Sequence, residues 1–314
     1  HVQVVQDLTH HALGLIPLLR GALVLVVGVG GIPLGEAEGA FIQQADGIQA
    51  VFCQVQAALE FRLQLVRAED QVTSLYGALG NYLTSNGLSL GDVRRVVLTG
   101  VGASYVDGDV FGLPTCRVDE FQASGTGALA LSGQSSGVVV TMGTGTAFLW
   151  AEAGKEVRHL CGSGIGGGTL GGLCRKLVGM ERFYQIKKLA AQGDLSHVDL
   201  TISDIARDPA STLDPNMTAA NFGDLSEDAT PADLAAGAVN LVLQAIGTMT
   251  VLACQSCHTD TVILTGSMTT LDQAEPNFAA FEKLYGIHYV IPENATFATA
   301  IGAGLCSLRQ KSVK

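Results

Sequence analysis

Short β-branched runs alternate with longer segments of helical spacing along most of the chain. The β-branched runs Val93–Leu98, Val138–Met142 and Thr261–Leu264 each lead into a turn that contains glycine and threonine. Strands that alternate with helices indicate βαβ units, in which ligand sites lie at the carboxyl ends of the strands. The pattern predicts helices at Thr73–Thr84, Phe121–Leu131, Thr169–Val178, Glu181–Ala191 and Thr230–Gln255.

Two of these predicted strands end in nearly the same sequence. Val97-Leu98-Thr99-Gly100 and Ile263-Leu264-Thr265-Gly266 lie about 165 residues apart. One interpretation is chance recurrence in a chain rich in glycine, leucine and threonine. The other is a pair of related α/β halves that face one cleft, which predicts a two-lobed α/β fold with a duplicated βαβ core.

Composition excludes several classes of protein. The chain has 314 residues, a net charge of -11 and 39 glycines, which is enough for one large or two medium domains. Few lysines and an acidic balance argue against nucleic acid as a partner. Seven irregularly spaced cysteines predict reduced thiols and a cytoplasmic location instead of a disulfide framework.

The N-terminal part of the chain differs from the rest. Residues 1–65 carry few charges and many glutamines. The most apolar stretch, Gly21–Leu34, is shorter than the roughly 20 residues of a membrane span and predicts a buried strand and turn, so no membrane is expected. The sequence begins at His1 without the features of a signal peptide.

The strongest local signal is the glycine-rich segment Gly162–Gly172, in which seven of eleven residues are glycine. Glycines let backbone amides approach an anion, and the N-terminus of the helix that follows favours negative charge, so phosphate is the predicted ligand. The Walker pattern is absent from the segment. We also find no β-branched strand leading straight into it, which argues against a dinucleotide fingerprint. Gly143-Thr144-Gly145-Thr146 is a second, weaker candidate for holding a phosphoryl group or a substrate hydroxyl.

Three other groups of residues could carry chemistry. Glu120, after Asp119, could accept a hydroxyl proton during phosphoryl transfer, although acidic residues are also common at helix N-termini. Arg158 and His159 precede the glycine-rich segment, where a cation could neutralise charge; solvated surface charge is the alternative. Cys254 and Cys257, followed by His258, are interpreted as core cysteines, since the spacing of the three residues does not fit a zinc site.

Several motifs in order resemble those of the type II (eukaryotic-like) pantothenate kinases of the acetate and sugar kinase, Hsp70 and actin superfamily. The resemblance covers about Val66 to Leu305 and implies an actin-like ATPase (ribonuclease H-like) fold. We expect a first lobe of residues 1–130, atypical over 1–65, and a second of 131–314. The motifs are Thr99–Ser104, Val118–Phe121, Gly143–Thr146, Gly162–Gly172, Ala190–Asp194, Thr218–Gly223, Gly266-Ser267, Glu293–Ala295 and Gly302-Ala303.

The resemblance implies ATP-dependent phosphorylation of pantothenate to 4'-phosphopantothenate, the first step of coenzyme A synthesis, by a cytoplasmic homodimer that uses Mg²⁺. Coenzyme A or an acyl-CoA is the expected feedback ligand. Glu120 falls on the catalytic base, Arg158 is the expected catalytic cation, and Gly143, Thr144 and His159 are expected at the substrate. The expected ATP-binding residues are Gly30, Gly31, Thr144, Gly167, Gly168, Thr169, Leu170, Gly171, Phe183 and Ser267.

Two positions depart from the family pattern. The family has an arginine three residues before Gly162, whereas this chain has His159 there and Arg158 one residue earlier. Arginine is always charged, whereas histidine is mostly neutral at pH 7. Either Arg158 takes over by a small register shift or turnover is altered.

The second departure concerns the opening strand of the superfamily, which ends in Asp-x-Gly-Gly-Thr. The best counterpart here is Val24–Val27 followed by Gly28-Val29-Gly30-Gly31-Ile32. Gly28 replaces the aspartate that organises Mg²⁺, so the metal ligand is unknown. Three hypotheses follow: a degenerate kinase, a functional enzyme with another metal ligand, or an N-terminal segment that is misread or out of frame.

Three other functions compete with pantothenate kinase. One is a sugar or N-acetylhexosamine kinase of the same superfamily. Another is a non-catalytic pseudokinase that binds a nucleotide or acyl-CoA, which fits the missing aspartate. The third is an ATPase activator with an iron-sulfur cluster between subunits, for which Cys161 and Cys174 are the only faint candidate ligands.

Overall fold

A computed structural model describes most of the chain. It covers four early strands as backbone, followed by residues 71–206 and 214–309. The strands are β1 (Gln3–Val4), β2 (Val24–Val29), β3 (Ile48–Val55), β4 (Phe61–Ala68), β5 (Arg95–Thr99), β6 (Thr115–Arg117), β7 (Ser136–Met142), β8 (Thr146–Glu152), β9 (Arg158–Ser163), β10 (Leu200–Thr201), β11 (Thr218–Ala220), β12 (Thr261–Thr265) and β13 (His288–Val290). The helices are α1 (Gln71–Ser85), α2 (Glu120–Ser132), α3 (Gly167–Val178), α4 (Phe183–Ala190), α5 (Ile202–Ile205), α6 (Pro231–Cys257), α7 (Ala274–Tyr285) and α8 (Ala298–Arg309).

The predicted strands and helices are confirmed, with small shifts at their ends. The apolar run of Gly21–Leu34 contains β2, so the predicted strand is confirmed; the rest of that run lies outside the described residues. Helix ends follow local chemistry: Asp119 caps α2 by accepting a hydrogen bond from the Gln122 amide, and Thr230 with Asp233 forms a capping box before Pro231 at the start of α6.

The chain divides into two compact units. The first comprises His1–Val139, Leu149–Leu160 and Pro292–Lys314, and the second comprises Val140–Phe148 and Cys161–Ile291. The C-terminal helix α8 therefore belongs to the first unit. These two units have other boundaries than the predicted lobes of 1–130 and 131–314, and the lobes stay a prediction.

The two main sheets have the same strand order. The first runs β1-β4-β3-β2-β5-β6 and the second runs β13-β12-β7-β8-β9. Without the short β1, the order β4-β3-β2-β5-β6 corresponds position by position to β9-β8-β7-β12-β13. The predicted duplication is therefore visible in the topology, with β5 and β12 as equivalent strands.

The repeated Leu-Thr-Gly sequence lies at these equivalent positions. Thr99 ends β5 and Thr265 ends β12, and each is followed by a glycine that begins a 3-10 turn. Gly100 has φ 89° and ψ 160°, and Gly266 has φ 94° and ψ 174°. Positive φ values of this kind favour glycine, so the repeat reflects a shared backbone requirement and the interpretation as chance recurrence is wrong.

Helix α2 is fixed within the first unit by close packing on α8. A Cβ atom added to Gly127 would collide with the carbonyl of Ala298, and one added to Gly302 would collide with the carbonyl of Ala123. The hydroxyls of Ser124 and Thr299 also hydrogen-bond across the contact at 2.8 Å. This contact holds the N-terminus of α2, where Glu120 lies, in a defined position.

Helix α6 is the long apolar helix of the second unit. Its 27 residues have the length and apolar character of a membrane span, but 67% of its most apolar window is buried inside the protein. This burial is typical of the core helix of a soluble protein.

Candidate functional site

Glu120 is the first residue of α2, directly after the capping Asp119. Its carboxylate accepts a hydrogen bond from the backbone amide of Val101, in the 3-10 turn after Gly100. The parallel strands β2, β5 and β6 pair in this unit. Their carboxyl ends meet at one edge of the sheet, and the chain enters α2 shortly after β6. The sequence analysis did not predict this contact of Val101, although the repeated turn at Thr99-Gly100 was a signal that could have indicated it.

The surroundings of Glu120 change its acidity. Burial is the main cause that raises the pKa of Glu120; the hydrogen bond from the Val101 amide lowers it in part, and the charge of Asp119 adds to the rise. A carboxyl group with a raised pKa is a stronger base once ionised and takes up a proton more readily than an ordinary glutamate. The position therefore suits a proton acceptor.

The start of β9 is joined to the first turn of α2 by two contacts. The ring of His159 stacks on that of Phe121 with 4.5 Å between centroids and an interplanar angle of 3°. The backbone amide of Val157 donates to Oε1 of Gln122 at 3.0 Å. The structure thus brings His159 beside the helix turn that carries Glu120.

Arg158 and His159 are successive residues of β9 and both are exposed. Successive side chains of a strand point to opposite faces, so Arg158 points away from the face on which His159 meets Phe121. The hypothesis that Arg158 replaces the family arginine requires a one-residue shift of β9, which would exchange the two faces of the strand; in this structure the position beside α2 is held by His159. Histidine at 159 is the side chain in place beside α2.

In the second unit, the turn between β7 and β8 lies against the N-terminus of α3. The Gly167 amide donates to the Gly143 carbonyl at 2.8 Å, and the Gly168 amide donates to the Thr144 carbonyl at 2.8 Å. The hydroxyl of Thr146 donates to the Ile165 carbonyl at 2.8 Å. The turn Gly143–Gly145 and the glycine-rich segment thus form one assembly, which we call the glycine assembly.

Close backbone approach explains much of the glycine content here. A Cβ atom added to Gly166 would lie 2.7 Å from the Thr144 carbonyl oxygen, and one added to Gly145 would lie 2.7 Å from the Ser163 carbonyl oxygen. Contacts this short are not tolerated between Cβ and backbone atoms. The glycines serve first to let the turn and the helix N-terminus touch.

This arrangement refines what individual predicted ATP-binding residues can do. The amides of Gly167 and Gly168 are already bonded to the turn, and the hydroxyl of Thr169 donates to the Gly164 carbonyl at 2.7 Å. The side chain of Leu170 is fully buried. Thr144 is exposed at the tip of the turn, so it is the predicted residue with a hydroxyl open to a ligand.

Ser267 joins the same assembly through its neighbour. A Cβ atom added to Gly266 would collide with the carbonyl of Met142, the last residue of β7. Ser267, next in the chain, therefore lies close to the β7 turn. A Cβ atom added to Gly171 would lie 3.3 Å from the Glu181 carbonyl oxygen. Phe183 is the first residue of α4. Both residues therefore lie beyond the first turn of α3.

A strand that the sequence pattern does not predict leads into the glycine-rich segment. It is β9 (Arg158–Ser163), which contains charged and exposed residues and is not a β-branched run. Gly30 and Gly31, the remaining predicted ATP-binding residues, lie outside the described residues.

The cysteine and metal predictions can be checked over the described residues. Cys174 is buried in α3, where burial raises the pKa of its thiol to about 11, whereas Cys161 is exposed. Burial also raises the pKa of Cys254 to about 12, in agreement with the core interpretation. Within the described chain, no group of three or more His, Cys, Asp or Glu could hold a metal ion.

Solved structures define the class of fold. The chain matches component A of the (R)-2-hydroxyglutaryl-CoA dehydratase of Acidaminococcus fermentans, with a TM-score of 0.61 and 15% identity over 93% of this chain and 99% of that one. It also matches the activator of the 2-hydroxyisocaproyl-CoA dehydratase from Clostridium difficile with bound ADPNP, with a TM-score of 0.58 and 14% identity over 93% and 98%. The protein therefore has the predicted α/β actin-like ATPase fold.

Sequence comparisons show which proteins the chain is similar to. The Fumble family model matches residues 136–281. The type II pantothenate kinase of Oceanobacillus iheyensis is 32% identical over 55% of this chain and 66% of its own length. That of Staphylococcus aureus is 27% identical over 77% and 90%. The predicted resemblance is confirmed: the chain is similar in sequence to type II pantothenate kinases and contains a match to the Fumble family model.

Proposed function

We propose that the protein transfers the γ-phosphoryl group of ATP to the primary hydroxyl of pantothenate and forms 4'-phosphopantothenate. The observation that carries the proposal is Glu120, a half-buried carboxylate with a raised pKa at the start of α2. Such a group can accept the hydroxyl proton as the oxygen attacks phosphorus. The names of the relatives support the choice of pantothenate as acceptor.

The remaining roles follow from where the side chains lie. His159, stacked on Phe121, is proposed to contact the acceptor beside Glu120. Arg158 keeps its proposed role of neutralising charge on the transferred group on the family resemblance alone, because its side chain lies on the opposite face of β9 from His159. In the second unit, Thr144 and Ser267 are proposed to contact ATP, with the glycine assembly as their rigid support. ATP supplies the phosphoryl group, while the chain positions it and its acceptor.

The described residues fit ATP better than they fit Mg²⁺. The glycine assembly offers an exposed hydroxyl on a closely packed backbone. Hard cations instead require several oxygen ligands, and position 28, where the superfamily has an aspartate, is a glycine. We therefore assign no Mg²⁺ ligand. A cytoplasmic homodimer with coenzyme A or an acyl-CoA as feedback ligand completes the proposal and rests on the family resemblance.

A coupled assay of ADP release tests this function. We expect pantothenate-dependent ADP release that depends on Mg²⁺, and no comparable release with glucose or N-acetylglucosamine. The same assay compares the Glu120→Gln variant with a matched control, Glu275→Gln. Glu275 is a suitable control because it lies in the first turn of α7, as Glu120 does in α2. ADP release with a hexose but not with pantothenate would contradict the proposal and would indicate a sugar kinase.

A second candidate function is favoured by Gly28. A pseudokinase that binds a nucleotide or acyl-CoA without turnover would need no metal-organising carboxylate. It predicts nucleotide binding with no ADP release from any of the three acceptors. Pantothenate-dependent release that Glu120→Gln abolishes would exclude it.

A further inference from the structure

The turn after β5 places an exposed apolar residue next to Glu120. The Val101 amide donates a hydrogen bond to the Glu120 carboxylate, and Val101 is 65% exposed. Ordinary hydrogen-bond and backbone dimensions put Cβ of Val101 within about 6 Å of the bonded carboxylate oxygen. A substrate hydroxyl that gives its proton to Glu120 must come within hydrogen-bond reach of the same carboxylate. The part of the acceptor next to that hydroxyl therefore shares a small region with the Val101 side chain.

The backbone around Val101 is held in place. Val101 is the first residue of the 3-10 turn Val101–Tyr105, and its carbonyl accepts a hydrogen bond from Oγ of Ser104 at 2.8 Å. The next two residues, Gly102 and Ala103, are buried. A β-branched side chain also has few χ1 rotamers. Val101 therefore presents a preformed apolar surface beside Glu120 instead of a flexible side chain.

The duplicated turn of the second unit carries a polar residue at the equivalent position. Thr99-Gly100-Val101 corresponds to Thr265-Gly266-Ser267, and Val101 and Ser267 each begin a 3-10 turn. Ser267, proposed to contact ATP, can form hydrogen bonds through its hydroxyl, whereas the Val101 side chain offers only apolar contact. Single exposed apolar residues are common on protein surfaces, but this one is bonded to the proposed base. Its chemistry therefore indicates an apolar group on the ligand of the first unit.

Pantothenate has such a group directly beside its reacting hydroxyl, because the CH₂OH carbon is attached to a carbon that bears two methyl groups. We propose that Val101 is a specificity-determining residue whose side chain packs on these two methyl groups while the hydroxyl faces Glu120. This inference rests on the proposed function, since it takes pantothenate as the acceptor. A sugar has hydrogen and hydroxyl in place of the two methyl groups, so the same contact selects against sugars.

Binding of two acceptors tests this contact without turnover. Isothermal titration calorimetry, with ADPNP present, measures the Kd of pantothenate and of its analogue that lacks both methyl groups. The proteins compared are the full chain, its Val101→Ala variant and a matched control, Leu90→Ala. Leu90 is also an exposed apolar residue of the first unit, at 40% exposure, but it lies before the amino end of β5, whereas Val101 follows the carboxyl end.

We expect the full chain and Leu90→Ala to bind pantothenate about tenfold tighter than the analogue, at the lower end of what small apolar groups contribute to discrimination. In Val101→Ala this preference should fall to about twofold or less. A Val101→Ala variant that keeps the preference of the full chain would overturn the proposal, whether its two affinities stay the same or fall together. A full chain that binds both acceptors equally, or neither, would overturn it as well. Failure of the proposed function gives a different result: the expected preference without ADP release would leave the assignment of Val101 intact.

Discussion

The first and second sheets share a strand order but differ in the polar groups at their equivalent edges. In the second sheet, the β7 turn, the N-terminus of α3 and Gly266 pack backbone against backbone, and Thr265 has a hydroxyl partner. In the first sheet, Gly28 faces Thr99, whose hydroxyl has none among the described residues. The difference shows that topology was duplicated while the chemistry of the two edges diverged.

The two roles that we propose lie in different units. The first unit contributes a carboxylate, Glu120, whose pKa is raised by burial and which is proposed to accept a proton. The second contributes a closely packed backbone assembly with an exposed Thr144, which is proposed to hold the nucleotide. Substitution of Glu120 should therefore lower turnover, whereas substitutions in the glycine assembly should weaken nucleotide binding.

The largest expected effect is that of Glu120→Gln on turnover. Loss of a general base costs about 10² to 10⁴ in rate, so kcat for pantothenate should fall by that range. ADP affinity, measured by isothermal titration calorimetry, should stay unchanged because the nucleotide contacts are proposed for the second unit. A large loss of ADP affinity in this variant would break the proposed separation of roles.

The same residue sets an expected pH dependence. Because the pKa of Glu120 is raised, kcat should decline on the acid side at a higher pH than an ordinary glutamate would produce. The ionised form is disfavoured in the fold, so Glu120→Gln should not lower the Tm at neutral pH, and stability should not fall as this group protonates. A Tm well below that of the wild type would indicate a structural role for the carboxylate instead.

Gly166→Ala tests the glycine assembly of the second unit. The added Cβ would lie 2.7 Å from the Thr144 carbonyl oxygen and 2.8 Å from Cα of Gly145, so the variant should lose about 1 to 3 kcal/mol of unfolding free energy and bind ADP more weakly. Gly172→Ala is the matched control, since nothing lies within 4 Å of its added Cβ and alanine favours a helix. Urea unfolding compares the two; equal stability would mean that the turn and helix do not pack as described.

Much of the fold could be predicted from the sequence because the signals were local. The β-branched runs gave β5, β7 and β12, and helical spacing gave α1 and α6 within a few residues. The repeated Leu-Thr-Gly turn predicted the duplication, since positive φ at Gly100 and Gly266 is a requirement that sequence can show. β9 was missed because its exposed, charged residues do not resemble a buried strand.

The site was only partly predictable, since its key contacts join residues far apart in sequence. Nothing local shows that His159 stacks on Phe121 or that Gln122 bonds to the Val157 amide. The glycine-rich segment was correctly recognised as special, but the partners of its amides depend on a turn more than 20 residues earlier. Likewise, only the pairing of β2 with β5 places Gly28 opposite Thr99, whose hydroxyl has no partner among the described residues.

The smallest expected effect compares the two equivalent threonines directly. Thr265→Val removes a paired hydroxyl and leaves that of Thr141 without its partner, so the unfolding free energy should fall by about 1 kcal/mol. Thr99→Val replaces a buried, unpaired hydroxyl by a methyl group of similar size, so stability should stay equal or rise. Urea unfolding of both single variants measures this difference in sign. If Thr99→Val loses as much stability as Thr265→Val, then Thr99 has a partner outside the described residues and the two edges are more alike than their hydroxyl contacts indicate.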